Sequence, residues 1–146
     1  MKLIFLDIDG VLNSSSGQEP YLSDMEVAKL ELLKRLIDET GTAGIVITSD
    51  RRYSEFDMKD KKEAFERFGI RIVGLTRRPS EEDLDDNRGK QIMDYLSSSE
   101  EDIDQIVILD DNDEGISSYF EEEFILVNRY FGLNEAVFQK ALKTLG

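Results

Sequence analysis

The chain has 146 residues, with 32 Asp and Glu against 18 Lys and Arg and a formal net charge of −14. It has no His, Cys or Trp, which excludes a Ser-His-Asp triad, a Cys nucleophile and zinc sites built on Cys or His. What remains is carboxylate, hydroxyl, Lys, Arg and Tyr chemistry, so a catalyst of this composition would rest on carboxylates and a hard, oxygen-seeking cation such as Mg²⁺. The length suits one domain over residues 1–146 with a sizeable core. Two Pro and ten Gly argue against a long linker. The lack of Cys suits a reducing compartment, and a cytoplasmic location is expected. No apolar run approaches the roughly 20 residues of a membrane span, so no membrane partner is expected. The acid excess argues against tight general nucleic-acid binding, which rests on neutralising phosphates.

Five short apolar runs alternate with helical patterns. The first is Leu3–Leu6, and several of the runs are nearly continuous, as in strands buried on both faces. Ser23 and Glu26 then read as a capping box before a helix with Val27, Leu30, Leu33 and Ile37 on one face and Gly41 as its stop. The run Gly44–Ile47 follows, then a helix near Lys61–Phe68 and the run Ile70–Val73. A helix over about Lys90–Leu96 leads to the run Gln105–Leu109. A short helix near Ile116–Phe120, the run Phe124–Val127 and a helix over Asn134–Leu145 complete the chain. The order βαβαβαβαβα predicts an α/β fold: a doubly wound three-layer sandwich on a mostly parallel five-stranded sheet, with strand order 5-4-1-2-3. The acidic clusters at 81–83, 100–102 and 121–123 read as solvated surface.

Open sheets of this class bind ligands beyond the carboxyl ends of their strands. Asp7-Ile8-Asp9-Gly10 follows the first run, Thr48-Ser49-Asp50-Arg51-Arg52 the second, and Asp110-Asp111-Asn112-Asp113 the fourth, with Arg88 and Lys90 at the helix start before it. Acids packed this closely repel and raise one another's pKa, and a cation relieves that repulsion. Thr48 and Ser49 are adjacent, so alternation lets only one point inward, and Thr48 is preferred. Lys90 is preferred over Arg88 as the cation facing the acids, because a flexible point charge suits a phosphate and an acid cluster. Arg51, Arg52 and Arg88 are candidate substrate contacts.

This set resembles the haloacid dehalogenase (HAD) superfamily of phosphohydrolases, whose four motifs occur here in order across residues 7–111. More narrowly, the segments from Leu6 to Asn13, from Ile45 to Arg52 and from Val107 to Asp111, with Arg88-Gly89-x-Gln91-Ile92 and Gly132-Leu133, resemble small HAD domains related to those in RNA-repair proteins. One departure is the second motif, where that narrower pattern has Ser-Trp-Arg and this chain has Asp50-Arg51-Arg52. The resemblance implies an Mg²⁺-dependent phosphatase with Asp7 as nucleophile and Asp9 as general acid, then base. It implies a cation held by Asp7, the Asp9 backbone carbonyl and an acid of the fourth motif, with Asp111 as direct ligand and Asp110 as its support. Thr48 or Ser49 would contact a phosphoryl oxygen, beside Lys90 or Arg88.

Three other readings compete. The segment from Asp110 to Glu121 nearly matches a calcium loop, although a strand precedes it. A receiver domain of two-component signalling would share the fold, but would place its acceptor Asp after strand three. A HAD-like scaffold kept only for binding would show the same motifs. Residues 10–47 and 49–89 hold no room for a large cap domain, so the site should be open, closed at most by residues 12–21 and 75–87. An open site suits a macromolecular phosphorylated end, a neighbouring copy acting as lid, or broad specificity; of these, the resemblance implies a nucleic-acid end, its 5′- or 3′-phosphate held locally by Arg51, Arg52 and Lys90.

Overall fold

A five-stranded parallel sheet forms the middle layer of the computed structural model, which describes residues 1–17 and 20–146. In chain order the elements are β1 (Lys2–Leu6), β2 (Tyr21–Leu22), β3 (Met25–Glu26), α1 (Val27–Thr40), β4 (Gly44–Ile47), α2 (Glu55–Arg67), β5 (Ile72–Leu75), α3 (Arg88–Ser98), β6 (Gln105–Asp110), α4 (Ile116–Tyr119), β7 (Phe124–Leu126) and α5 (Glu135–Leu145). The sheet runs β5-β4-β1-β6-β7. Read from the β7 edge, this is the expected 5-4-1-2-3 order of the five apolar runs. The continuous apolar runs are continuous because β1, β4 and β6 are covered on both faces.

Ile4, Leu6, Ile45, Ile47, Val107 and Leu109 face α1, α2 and α5, where Leu30, Leu33, Phe65 and Phe138 complete the larger core. Leu3, Phe5, Val46, Ile106 and Ile108 face the other way, against Ile92 of α3, Ile116 of α4 and Phe120. That alternation decides the site. Continued past the apolar residues, it turns Asp7, Thr48 and Asp110 toward the α3 face.

Local departures from the expected elements have physical causes. Ser23 is not a helix cap. Ser23 and Asp24 both have positive φ (54° and 61°) and form the two-residue turn of a hairpin, β2–β3, as the primed turn types require. Glu26 precedes α1 without a side-chain cap. Helix α2 begins six residues earlier than expected, at Glu55, because Ser54 accepts from the Asp57 N–H. Its exposed Phe56 breaks the apolar period there. The third strand starts at Ile72 rather than Ile70. Gly69 (φ 68°) ends α2, and Ile70 donates back to the Phe65 carbonyl at 2.9 Å and sits in the core. Ile70 is therefore apolar as a helix-end plug. The segment expected to close the site over residues 12–21 lies partly outside the described residues.

The loop between β5 and α3 is clamped by Asp86. Its carboxylate accepts from Arg77 at 2.9 and 3.0 Å and from the Ser80 N–H at 2.8 Å, while Arg77 also reaches Asp94 at 2.8 Å. The Arg77 hydrogen bonds hold the Asp86 carboxyl well below its ordinary range. A carboxylate with a depressed folded pKa contributes its full stabilisation above the unfolded value of about 3.9, and that is lost as pH falls through the folded value. Amide protection factors over residues 77–86 are expected to fall as pH drops below about 4, and the Asp86→Asn variant should lose that dependence.

Candidate active site

The carboxyl ends of β1, β4 and β6 are adjacent in the sheet, so the residues that follow them converge. The Asp7 N–H donates to the Leu109 carbonyl and the Thr48 N–H to the Leu6 carbonyl, each at 3.0 Å. One carboxylate oxygen from each of Asp7, Asp110 and Asp111 lies within 4.8 Å of the others. Asp7 and Asp110 are buried, and Asp111 is partly open. Gly10 (φ 82°) makes the approach possible, because a Cβ there would overlap the Asp111 carboxylate.

Arg88 is the cation that enters this cluster. Its Nη1 lies 2.7 Å from Asp110 and 3.8 Å from Asp7, its Nη2 3.2 Å from Asp50 and its Nε 3.1 Å from Glu114. The preference for Lys90 is corrected here. Asn87 caps α3 through the Lys90 N–H, so Arg88 opens the helix against the sheet edge. Two residues are about 200° of helical rotation, which turns Lys90 outward to Asp83 at 3.3 Å.

Burial, then the charge of Asp110, push the Asp7 carboxyl well above the usual range, and Arg88 opposes them. Asp110 is also raised by burial, with Arg88 again opposing. Asp7, Asp50, Asp110, Asp111 and Glu114 meet two guanidinium groups here, those of Arg88 and Arg129, which leaves a local excess of negative charge in a partly buried site. An all-oxygen donor set with that excess fits a hard divalent cation such as Mg²⁺. Within the set, Asp110 is committed to Arg88 and to the Asn112 N–H at 3.0 Å. Asp111 is paired less tightly, with Arg129, whose Nε is 3.4 Å away, and with the Asp7 carboxyl.

Asp9 lies outside the trio. Its carboxylate takes a bidentate pair from Arg51, at 3.0 and 3.1 Å, and a bond from Asn13 at 3.0 Å. The Arg51 hydrogen bonds hold its carboxyl below the ordinary range. Arg51 also reaches Asp57 at 3.1 Å, and Asp57 reaches Lys61 at 3.1 Å. Lys61 is wholly buried and donates to the Ser23 hydroxyl, with the Asp24 carboxylate 3.9 Å away. Asn13 closes the circuit by donating to the Asp24 carbonyl at 3.1 Å. Asp9, Arg51, Asp57, Lys61, Asp24 and Asn13 thus form a ring linking the turn after β1, helix α2 and the hairpin tip.

The other expected residues divide. Thr48 is fully buried, with a hydroxyl that has no hydrogen-bond partner among the described residues. Ser49 lines the same cleft as Asp7, and its hydroxyl accepts from the Arg51 N–H at 3.2 Å. Arg52 is not free to meet a substrate. It is buried and donates to the carbonyls of Thr48, Ser49, Thr76 and Arg77 and to Gln91, bolting the end of β4 to the β5–α3 loop. The calcium-loop reading also fails. Asp110 belongs to strand β6, Glu114 is turned to Arg88, and Asp113 accepts from Ser117. Sequence reasoning missed Arg129, Asp50 and Glu114 as site residues. Arg129 carries no motif, and only its position after β7, at the carboxyl edge of the sheet, could have flagged it.

No helix among the described residues is long and apolar enough to cross a membrane. No curated protein matches the chain. A family model for the HAD domain in Swiss Army Knife RNA repair proteins matches residues 3–138, a span running from β1 into α5 and holding every residue of the acidic trio and Arg88. The chain belongs to that family of HAD domains.

Proposed function

We propose that the chain is an Mg²⁺-dependent phosphomonoesterase working through an aspartyl-phosphate on Asp7. The observation that carries this reading is the buried Asp7 at the carboxyl end of the central strand, grouped with Asp110 and Asp111 and flanked by Arg88. A cation would be held by Asp7, the Asp9 backbone carbonyl and Asp111, with Asp110 in support, and would offset charge on the transferring phosphoryl group.

The chain's own residues do the rest. An Asp7 carboxylate oxygen attacks phosphorus as the ester oxygen departs with a proton from Asp9. Asp9 then takes a proton from water, whose oxygen attacks phosphorus, releasing phosphate and restoring Asp7. For this, Asp9 must leave Arg51, and leaving removes the largest of the contacts that keep its carboxyl low. Thr48 follows Ile47 as Asp7 follows its partner Leu6, and its hydroxyl, which has no partner among the described residues, is offered to a phosphoryl oxygen. Arg88 replaces Lys90 as the cation at the phosphoryl site. No domain is inserted between β1 and β6 among the described residues, so the mouth is open to a large substrate. Purified protein should hydrolyse phenyl phosphate with Mg²⁺ and lose at least about a hundredfold in rate in excess EDTA. Equal rates with and without EDTA would rule the mechanism out.

A further inference from the structure

Arg51 stands where the narrower HAD pattern has Trp, so its contacts belong to this chain rather than to the motif. Its guanidinium meets Asp9 edge to edge, with Nε 3.0 Å from one carboxylate oxygen and Nη2 3.1 Å from the other. The remaining nitrogen, Nη1, is anchored on Asp57 at 3.1 Å, and the second oxygen of Asp57 lies 3.1 Å from the buried Lys61 ammonium. The Ser49 hydroxyl also accepts from the Arg51 N–H. The guanidinium is thus fixed from behind, and the edge formed by Nε and Nη2 is given wholly to Asp9.

That edge lies behind the catalytic cleft. Asp9, rather than Arg51, lines the cleft of about 190 Å³ that holds Asp7 and Ser49, and the Asp9 side chain is 55% exposed. When Asp9 turns to an ester oxygen it breaks both bonds to Arg51 at once. The fork it vacates is spaced for a carboxylate, because a carboxylate now fills it. Two parallel N–H···O bonds to a planar guanidinium suit that group whether it belongs to the chain or to a ligand. The surroundings favour one negative charge over two. Asp57 already takes part of the Arg51 charge, and Asp24 and Asp60 stand behind it around Lys61.

We infer that Arg51 is a carboxylate subsite which Asp9 fills in the unloaded site, and that the preferred substrate is the phosphate monoester of a hydroxy acid, whose own carboxylate takes the place of Asp9 on the fork. The inference rests on the phosphohydrolase reading for the roles of Asp7 and Asp9. Because one carboxylate replaces another, Arg51 keeps its two bonds while Asp9 is released to the ester oxygen. A neutral substrate offers no replacement, and Asp9 must then give up both bonds without return. The substrate carboxylate therefore acts on kcat as well as on KM.

The test compares the phosphate monoesters of hydroxyacetic, 3-hydroxypropanoic and 4-hydroxybutanoic acid with those of the matching hydroxyamides, which keep the shape and lack the charge. With wild-type protein and Mg²⁺, kcat/KM for the acid is expected to exceed that for the amide at least about thirtyfold at one chain length or more, and kcat at least about fivefold. Arg51→Met should abolish the preference from both sides. It should lower the rate for the acid and raise that for the amide about threefold, since Asn13 alone then holds Asp9. Arg51→Lys keeps the charge without the fork and should retain less than about a tenth of the preference. Equal rates for acid and amide at every length overturn the subsite, as does a preference that survives Arg51→Met. An amide rate that falls together with the acid rate in Arg51→Met also overturns it, because Arg51 would then support the site without restraining Asp9. The phosphohydrolase reading fails separately, if the wild-type protein cleaves neither series.

Discussion

Replacing Asp7 with Asn is expected to lower phosphate-ester hydrolysis by at least about a thousandfold, measured as kcat on phenyl phosphate with Mg²⁺. The amide keeps the shape of the side chain but cannot form the acyl phosphate. The same change removes one of the charges that burial and Asp110 disfavour. Without a cation, the variant should therefore melt at the wild-type temperature or higher, and Mg²⁺ should raise its melting temperature less than it raises that of the wild type. Lost activity with retained stability assigns Asp7 to chemistry. Activity within tenfold of wild type would remove it from the reaction.

Arg88→Met should have the largest effect on stability. Arg88 is 8% exposed, and its guanidinium lies 2.7 Å from a fully buried Asp110. Removing it strands a carboxylate in the core, a loss of about 3–5 kcal/mol, or roughly 10 °C in Tm for a chain of this size. Asp110→Asn in the same protein should recover part of that loss, because the amide needs no counter-charge. Arg88→Lys keeps the charge but not the fork that reaches Asp110, Asp50 and Glu114 together, so it should fall between. Thermal melting without metal separates these outcomes, and a drop below about 1 kcal/mol for Arg88→Met would show that solvent already compensates Asp110.

The sheet was legible in the sequence because burial on both faces writes continuous apolar runs, and the acids because they sit where those runs stop. The hairpin was not. Its turn uses Ser23 and Asp24 at positive φ rather than the glycine or asparagine that usually marks such a turn. Ser23 and Glu26 have capping-box spacing, yet the Glu26 carboxylate is buried against Lys29 and accepts from Ser14. Residue type favoured Lys90 over Arg88, and the helix start at Asn87, which turns Arg88 to the acids and Lys90 outward, is what the sequence did not show. Arg52 looked like a substrate ligand because a surface arginine and a buried one are written alike, and its partners Thr76, Arg77 and Gln91 come from distant segments.

The ring through Asp9, Arg51, Asp57, Lys61, Asp24 and Asn13 makes two events mechanically inseparable. The hairpin tip is fastened to α2 by Lys61 and to the turn after β1 by Asn13. Asn13 also holds Asp9, and Arg51 holds Asp9 to α2. A hairpin that lifts away must draw on Asn13, and with it on one of the two grips on Asp9. On the proposed mechanism, widening the mouth for an incoming ester and loosening Asp9 would then be a single movement, with the carboxylate held by Asn13 and Arg51 while the hairpin is down.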